Sequence, residues 1–171
     1  MDNALTCCFT GHRRIETTQL ANLNIKLEKL LRDLIEKGYL IFISGGAIGF
    51  DLLAAQAVLA LKQEFPQIRL HMVLPCKDQS KSWTDAQKNI YNTVLSQSDE
   101  VCYTQDFYSA GCMHKRNRFL VQKADCFVAF LSQKKGGTLY TVKQAQKADI
   151  PVINLAQELA FSCQLSLLEC E

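Results

Sequence analysis

Strand-like apolar runs alternate with helical stretches along the chain, which predicts an α/β protein in three layers around a mainly parallel sheet of about six strands. Three observations carry that reading. Tyr39 to Ser44 is an unbroken apolar run of the kind found in parallel strands covered on both faces. Leu20, Leu23, Leu27, Leu30, Leu31 and Leu34 recur at spacings of three and four, which puts them on one face of a helix. Glycine turns then join strands to helices, the arrangement of right-handed βαβ crossovers.

Taken in order, Leu5 to Thr10 reads as the first strand and Thr17 to Lys37 as a long helix stopped by Gly38. The strand Tyr39 to Ser44 leads through a glycine loop into an alanine-rich helix from Phe50 to Gln63, whose small residues allow close approach to the sheet. Ile68 to Pro75 is the third strand, more alternating, and Thr84 to Gln97 the third helix. A short strand, Glu100 to Thr104, and a loop precede the helix Met113 to Lys123. Asp125 to Leu131, a helix from Gly136 to about Ala148 and Pro151 to Leu155 complete the alternation, and the tail from Ala156 is read as a short helix. Order 4-3-2-1-5-6 uses one chain reversal, between strands 1 and 5, so the expected architecture is Rossmann-like with ligands at the carboxyl ends of the strands beside that reversal.

Composition bounds the function. With 171 residues, 48% of them hydrophobic and 21% charged, residues 1–171 are read as one globular domain, and disordered or collagenous classes are excluded. The formal charge of +2 offers no strong overall field, so nucleic acid is an unlikely partner on this count. No apolar run approaches the length of a bilayer span and no leader is recognisable, which predicts a cytoplasmic protein without membrane association. Eight cysteines without any CxxC spacing read as reduced thiols, with Cys7, Cys8, Cys102 and Cys126 buried in strands and Cys112 and Cys170 the most accessible. No metal and no cofactor are expected.

Three loops converge on the expected crevice. Thr10-Gly11-His12-Arg13-Arg14 follows the first strand, Ser44-Gly45-Gly46-Ala47-Ile48-Gly49-Phe50-Asp51 the second and Lys134-Lys135-Gly136-Gly137-Thr138 the fifth. Each precedes a helix start, where unpaired amides favour phosphate and glycines allow close approach. Neither a Walker sequence nor G-x-G-x-x-G is present, so nucleotide triphosphatases and dinucleotide dehydrogenases are not supported. Arg13 can clamp phosphate, His12 can touch phosphate, act as acid or base, or hold a turn, and Asp51 can cap its helix or accept from a ribose hydroxyl. Trp83 either stacks on a base or anchors its helix; Tyr103, Asp106, Phe107 and Tyr108 are read as a pocket wall.

The motifs Cys8-Phe9-Thr10-Gly11-His12-Arg13 and Ile43-Ser44-Gly45-Gly46-Ala47-Ile48-Gly49-Phe50-Asp51-Leu52, with Pro75, Gln79 and Trp83, resemble the YpsA-like family of the SLOG superfamily of bacterial proteins. That resemblance implies a Rossmann-like fold associated with nucleotides or their derivatives. Met113-His114-Lys115-Arg116-Asn117 resembles the M-H-x-R-K segment of the Lonely Guy phosphoribohydrolases, which puts Arg116 at a catalytic position and Asn117 beside it. Lys135-Gly136-Gly137-Thr138 resembles their P-G-G-x-G-T-x-x-E motif, but Thr141 stands where the catalytic glutamate belongs. The expected function is therefore binding, sensing or signalling with a nucleotide or nucleotide-derived small molecule, phosphate lying on the Gly45 to Gly49 and Gly136 to Thr138 amides. The alternative is a nucleotide N-glycosidase using Arg116 and Asp51. The oligomeric state, a homo-oligomer included, stays open.

Overall fold

A computed structural model describes residues 4–157. Strand β1 (Leu5–Gly11) is followed by α1 (Thr17–Glu36), β2 (Tyr39–Ser44), α2 (Phe50–Leu61), β3 (Arg69–Leu74) and α3 (Asp85–Gln97). Then come β4 (Glu100–Tyr103), α4 (Cys112–Lys123), β5 (Cys126–Phe130), α5 (Gly137–Lys147) and β6 (Val152–Asn154). All strands pair in parallel in the order β4-β3-β2-β1-β5-β6. The reversal therefore falls between β1 and β5, as the alternation predicts.

Right-handed crossovers in one direction put α1, α2 and α3 on one face; the reversal sends α4 and α5 to the other. Side-chain alternation then divides each strand. Cys7 and Phe9 of β1 join the core under α1 and α2, while Cys8 faces the smaller core with Leu120 and Ala145 of α4 and α5. Gly38 carries a φ of 91° and ends α1, a conformation only glycine adopts without cost. At the start of α3 the Thr84 hydroxyl accepts from the Gln87 amide while the Gln87 side chain accepts from the Thr84 amide, a reciprocal cap. Trp83 packs edge-on against Tyr91 at 5.2 Å, so it anchors this helix. Helix α2 stops at Leu61, short of Gln63, because the chain turns there ahead of Pro66.

His71 of β3 is partly buried, because β4 covers that strand's outer edge and brings Glu100 within 3.3 Å of its Nδ1. Among the described residues Cys7, Cys8, Cys76, Cys102, Cys112 and Cys126 are free thiols. Burial drives the Cys7 and Cys8 thiols upward, as expected of inert core groups. Cys112, expected to be accessible in a loop, is instead the first residue of α4 and buried, since that helix begins one residue earlier than the pattern suggests. The tail helix and Cys170 lie outside the described residues, apart from the first turn at Leu155. No helix among the described residues is long and apolar enough to cross a membrane.

A column of aromatic rings links the core to the crevice. Phe42 stacks on Phe9 at 6.1 Å, Phe9 meets Phe50 edge-on at 6.5 Å, and Phe50 stacks on Phe130 at 5.8 Å. Phe9 is fully buried at its centre. Phe9→Ala is expected to cost about 3–5 kcal/mol, the range for a buried aromatic truncated to a cavity, read as a lowered urea midpoint at unchanged m-value.

Candidate functional site

The crevice forms where β1, β2 and β5 deliver their loops on either side of the reversal. Its cavity has a volume of about 560 Å³ and is lined by Gly11, His12, Arg13, Asp51, Arg116, Asn117, Gly136, Gly137 and Thr138 among the expected residues. Met113, His114, Gln133 and Lys135 complete much of the wall. Ser44, Gly45, Gly46 and Gly49 do not line it. They are used inside the protein.

Each of those four has an identifiable task. The Ser44 hydroxyl donates to the Asp51 carbonyl at 2.9 Å and accepts from the Gly46 amide at 3.2 Å. Gly45 gives its carbonyl to Arg116 Nη1, and a Cβ there would overlap the guanidinium. Gly46 faces Leu74 and Met72, and its carbonyl accepts from Gln79 Nε2 at 2.9 Å. Gly49, at φ 86°, lies against the backbone carbonyls of His12 and Arg13, so any side chain there would push the two loops apart.

Asp51 is the polar centre of this packing. Its carboxylate accepts from the backbone N–H groups of Ala47 and Gly11 and lies 3.9 Å from Arg116 Nη1. Burial pushes its pKa up to about 6, against the pull of Arg116 and the two amides. Arg116 is 6% exposed, and burial lowers its pKa while Asp51 opposes that shift. Its Nε donates to Asn117 Oδ1 at 2.7 Å, so Asn117 orients the guanidinium. The start of α2 is occupied too: the Phe50 amide donates to the His12 carbonyl and the Leu52 amide to the Ala47 carbonyl.

His12 also serves the backbone. Its Nε2 accepts from the amides of Ser132 and Gln133 at 2.9 and 3.1 Å, and burial lowers its pKa, so the ring is neutral with the proton on Nδ1 at pH 7. It thus holds the β5 loop against β1. The start of α5 is different. Gly136, at φ 100°, precedes a first turn with no side-chain cap and no acidic residue, and a Cβ at Gly136 or Gly137 would meet nothing within 4 Å. Gly136, Gly137 and Thr138, whose amides open the helix, line the cavity beside Lys135, and Arg13 lines it as well. Among the described residues Asp51 is the only carboxylate lining it, and that one is paired with Arg116.

Thr141 is fully buried in α5, its hydroxyl donating to the Gly137 carbonyl at 2.9 Å, and does not line the cavity. Tyr103, Asp106, Phe107 and Tyr108 do not line it either: Asp106 pairs with Lys77 at 2.6 Å, the Tyr108 amide donates to Asp78, and the loop is tied to the segment after β3. Residues that pattern reading passed over are His114, whose ring meets Tyr140 edge-on at 4.5 Å, and Gln133. His114 sits inside a segment already singled out for Arg116. Gln133 carries no sequence signal.

The fold and crevice define a Rossmann-like α/β protein whose polar groups gather at the carboxyl ends of the strands. Residues 7–155 match the family model YpsA, described as the YspA SLOG family, and the chain belongs to that family. A UPF0398 protein of Bacillus pumilus is 27% identical over 143 residues, covering 81% of this chain and 77% of the relative. DNA processing protein A of Helicobacter pylori, described for its single-stranded DNA binding mode, matches with a TM-score of 0.64 at 23% identity, over 88% of this chain and 65% of that one. The corresponding protein of Streptococcus pneumoniae also gives 0.64, at 16% identity over 86% of this chain and 49% of that one. The chain thus spans less than two thirds of either neighbour. These neighbours correct the expectation that nucleic acid is an unlikely partner. Net charge sums the whole surface, whereas polyanion binding depends on local cations at the mouth of a crevice.

The raised value at Asp51 has a direction in stability. A carboxyl whose folded pKa lies above its unfolded value binds protons more tightly when folded, so the stability it contributes is lost as pH rises from about 4 through about 6. Urea unfolding of the wild type and of Asp51→Asn between pH 4 and 8 is expected to show the difference, wild type minus variant, falling by up to about 3 kcal/mol across that window and flattening above it. His12 titrates in both proteins and cancels.

Proposed function

We propose that the crevice binds a nucleotide or nucleotide-derived small molecule through its phosphate, as a binding or sensing module. The observation that carries this reading is the uncapped start of α5, which lines the cavity together with Lys135 and Arg13, while Asp51, the one carboxylate lining it among the described residues, is paired with Arg116. Phosphate there gains backbone donors, a helix dipole and two cations together. Membership of the SLOG family supports a nucleotide-related ligand.

Turnover is disfavoured by the geometry. Cleaving an N-glycosidic bond builds positive charge on the ribose and calls for an ionised carboxylate close to it. Thr141 is turned into its own helix, and the Asp51 carboxylate is held by two amides and lies 3.9 Å from the Arg116 guanidinium. A second reading, single-stranded DNA in the same crevice, is favoured by the likeness of fold to DNA processing protein A and by the rim cations Arg13 and Lys135.

Calorimetric titration with the four nucleoside 5′-monophosphates is expected to show binding that Lys135→Glu weakens by about tenfold or more, the loss of one charge-assisted contact. Lys135 is exposed, so the fold should be unaffected. Unchanged affinity in Lys135→Glu would remove α5 from the site, and free base released by the wild type but not by Asp51→Asn would establish the glycosidase instead. Anisotropy of a labelled single-stranded oligonucleotide, with the same variant, reads the second possibility.

A further inference from the structure

A second cavity adjoins the crevice on the side of α4 and α5. It has a volume of about 480 Å³, and Gln105, Gly111, His114, Lys115, Arg118 and Tyr140 form most of its wall. His114 lines both cavities, and its edge-on contact with Tyr140 makes the ridge between them. Both volumes lie within the range of small-molecule sites, so a ligand that fills the crevice can continue across the ridge rather than end at it.

The chemistry of the second cavity is cationic. Among the described residues no carboxylate lines it. Arg118 is exposed and makes no ion pair among the described residues, leaving a planar fork of donors that suits phosphate. Lys115 Nζ donates to the Thr104 carbonyl at 2.8 Å, which fixes the ammonium at the cavity edge and leaves further donors on it. Arg118 lies four residues beyond His114 on α4, one turn or about 6 Å along the axis. Arg118 is therefore set off by a helical turn from His114, where the two cavities meet.

From this juxtaposition we infer that the second cavity is a subsite for a second phosphate, separated from the first by a ribose whose ring crosses the His114–Tyr140 ridge. The ligand class is a nucleotide with phosphates on both sides of the sugar, either a nucleoside 3′,5′-bisphosphate or a dinucleotide. The inference rests on the crevice holding the first phosphate. It adds Arg118 and Lys115 as the residues that select the longer ligand.

Titration calorimetry at low salt with adenosine 5′-monophosphate, adenosine 3′,5′-bisphosphate and the 5′-phosphorylated adenylyl dinucleotide tests it. At least one ligand carrying the second phosphate is expected to bind about tenfold more tightly than the monophosphate, and Arg118→Glu should remove that gain while leaving monophosphate affinity within about twofold. A gain with the bisphosphate assigns the subsite to a terminal phosphate; a gain confined to the dinucleotide assigns it to the internucleotide linkage. Lys135→Glu should weaken all three. Binding of the monophosphate with no gain from a second phosphate, or equal losses for every ligand in Arg118→Glu, overturns the inference and leaves the crevice reading standing. Failure of all three to bind overturns both.

Discussion

A carboxylate withdrawn from water must be given donors, and the crevice is arranged around that need at Asp51. Its position on the first turn of α2 draws in the Gly11 amide from the end of β1, the Ala47 amide from the β2 loop and the Arg116 guanidinium from α4. Arg116 then passes the constraint outward, to the Gly45 carbonyl and to Asn117. One buried charge thereby ties together three segments that the sheet delivers separately. The desolvation cost is visible in the raised pKa of Asp51, which two amides and a guanidinium only partly offset.

The glycines follow from the same constraint. Gly45 is small because Arg116 lies where its Cβ would be, and Gly49 because two backbone carbonyls do. Their loop looks like a phosphate cradle, yet its Ala47 amide donates to the Asp51 carboxylate and its Gly46 amide to the Ser44 hydroxyl of the same chain. The glycines at 136 and 137 meet nothing, and the helix they open has no cap. The anion-binding capacity of the crevice is thus unequally shared between two helix starts: α2 is satisfied internally and α5 is open.

Charge on this protein is a local matter. A formal +2 over 171 residues says little, but among the described residues the cavities at the strand ends contain Arg13, Lys135, Lys115 and Arg118 against one carboxylate, itself paired with Arg116. That distribution suits phosphorylated ligands, and it removes the ground on which nucleic acid was discounted.

The sequence by itself determined the order of elements, a mainly parallel sheet with its reversal beside β1, and which three loops meet there. These follow from hydrophobic periodicity and crossover handedness, which are properties of short segments and of chain topology. Tertiary structure decided what each loop residue does. Whether the Gly45 carbonyl meets a ligand or Arg116 depends on a side chain 71 positions away, and whether His12 is acid, phosphate contact or brace depends on amides about 120 positions away. Cys112 is a buried helix residue rather than an accessible loop thiol because α4 begins one residue early, and the cavity behind His114 is walled by residues of α4 together with Tyr140 of α5. Such partners carry no local pattern, because the free energy of a buried polar group is set by whatever the fold brings within hydrogen-bond reach.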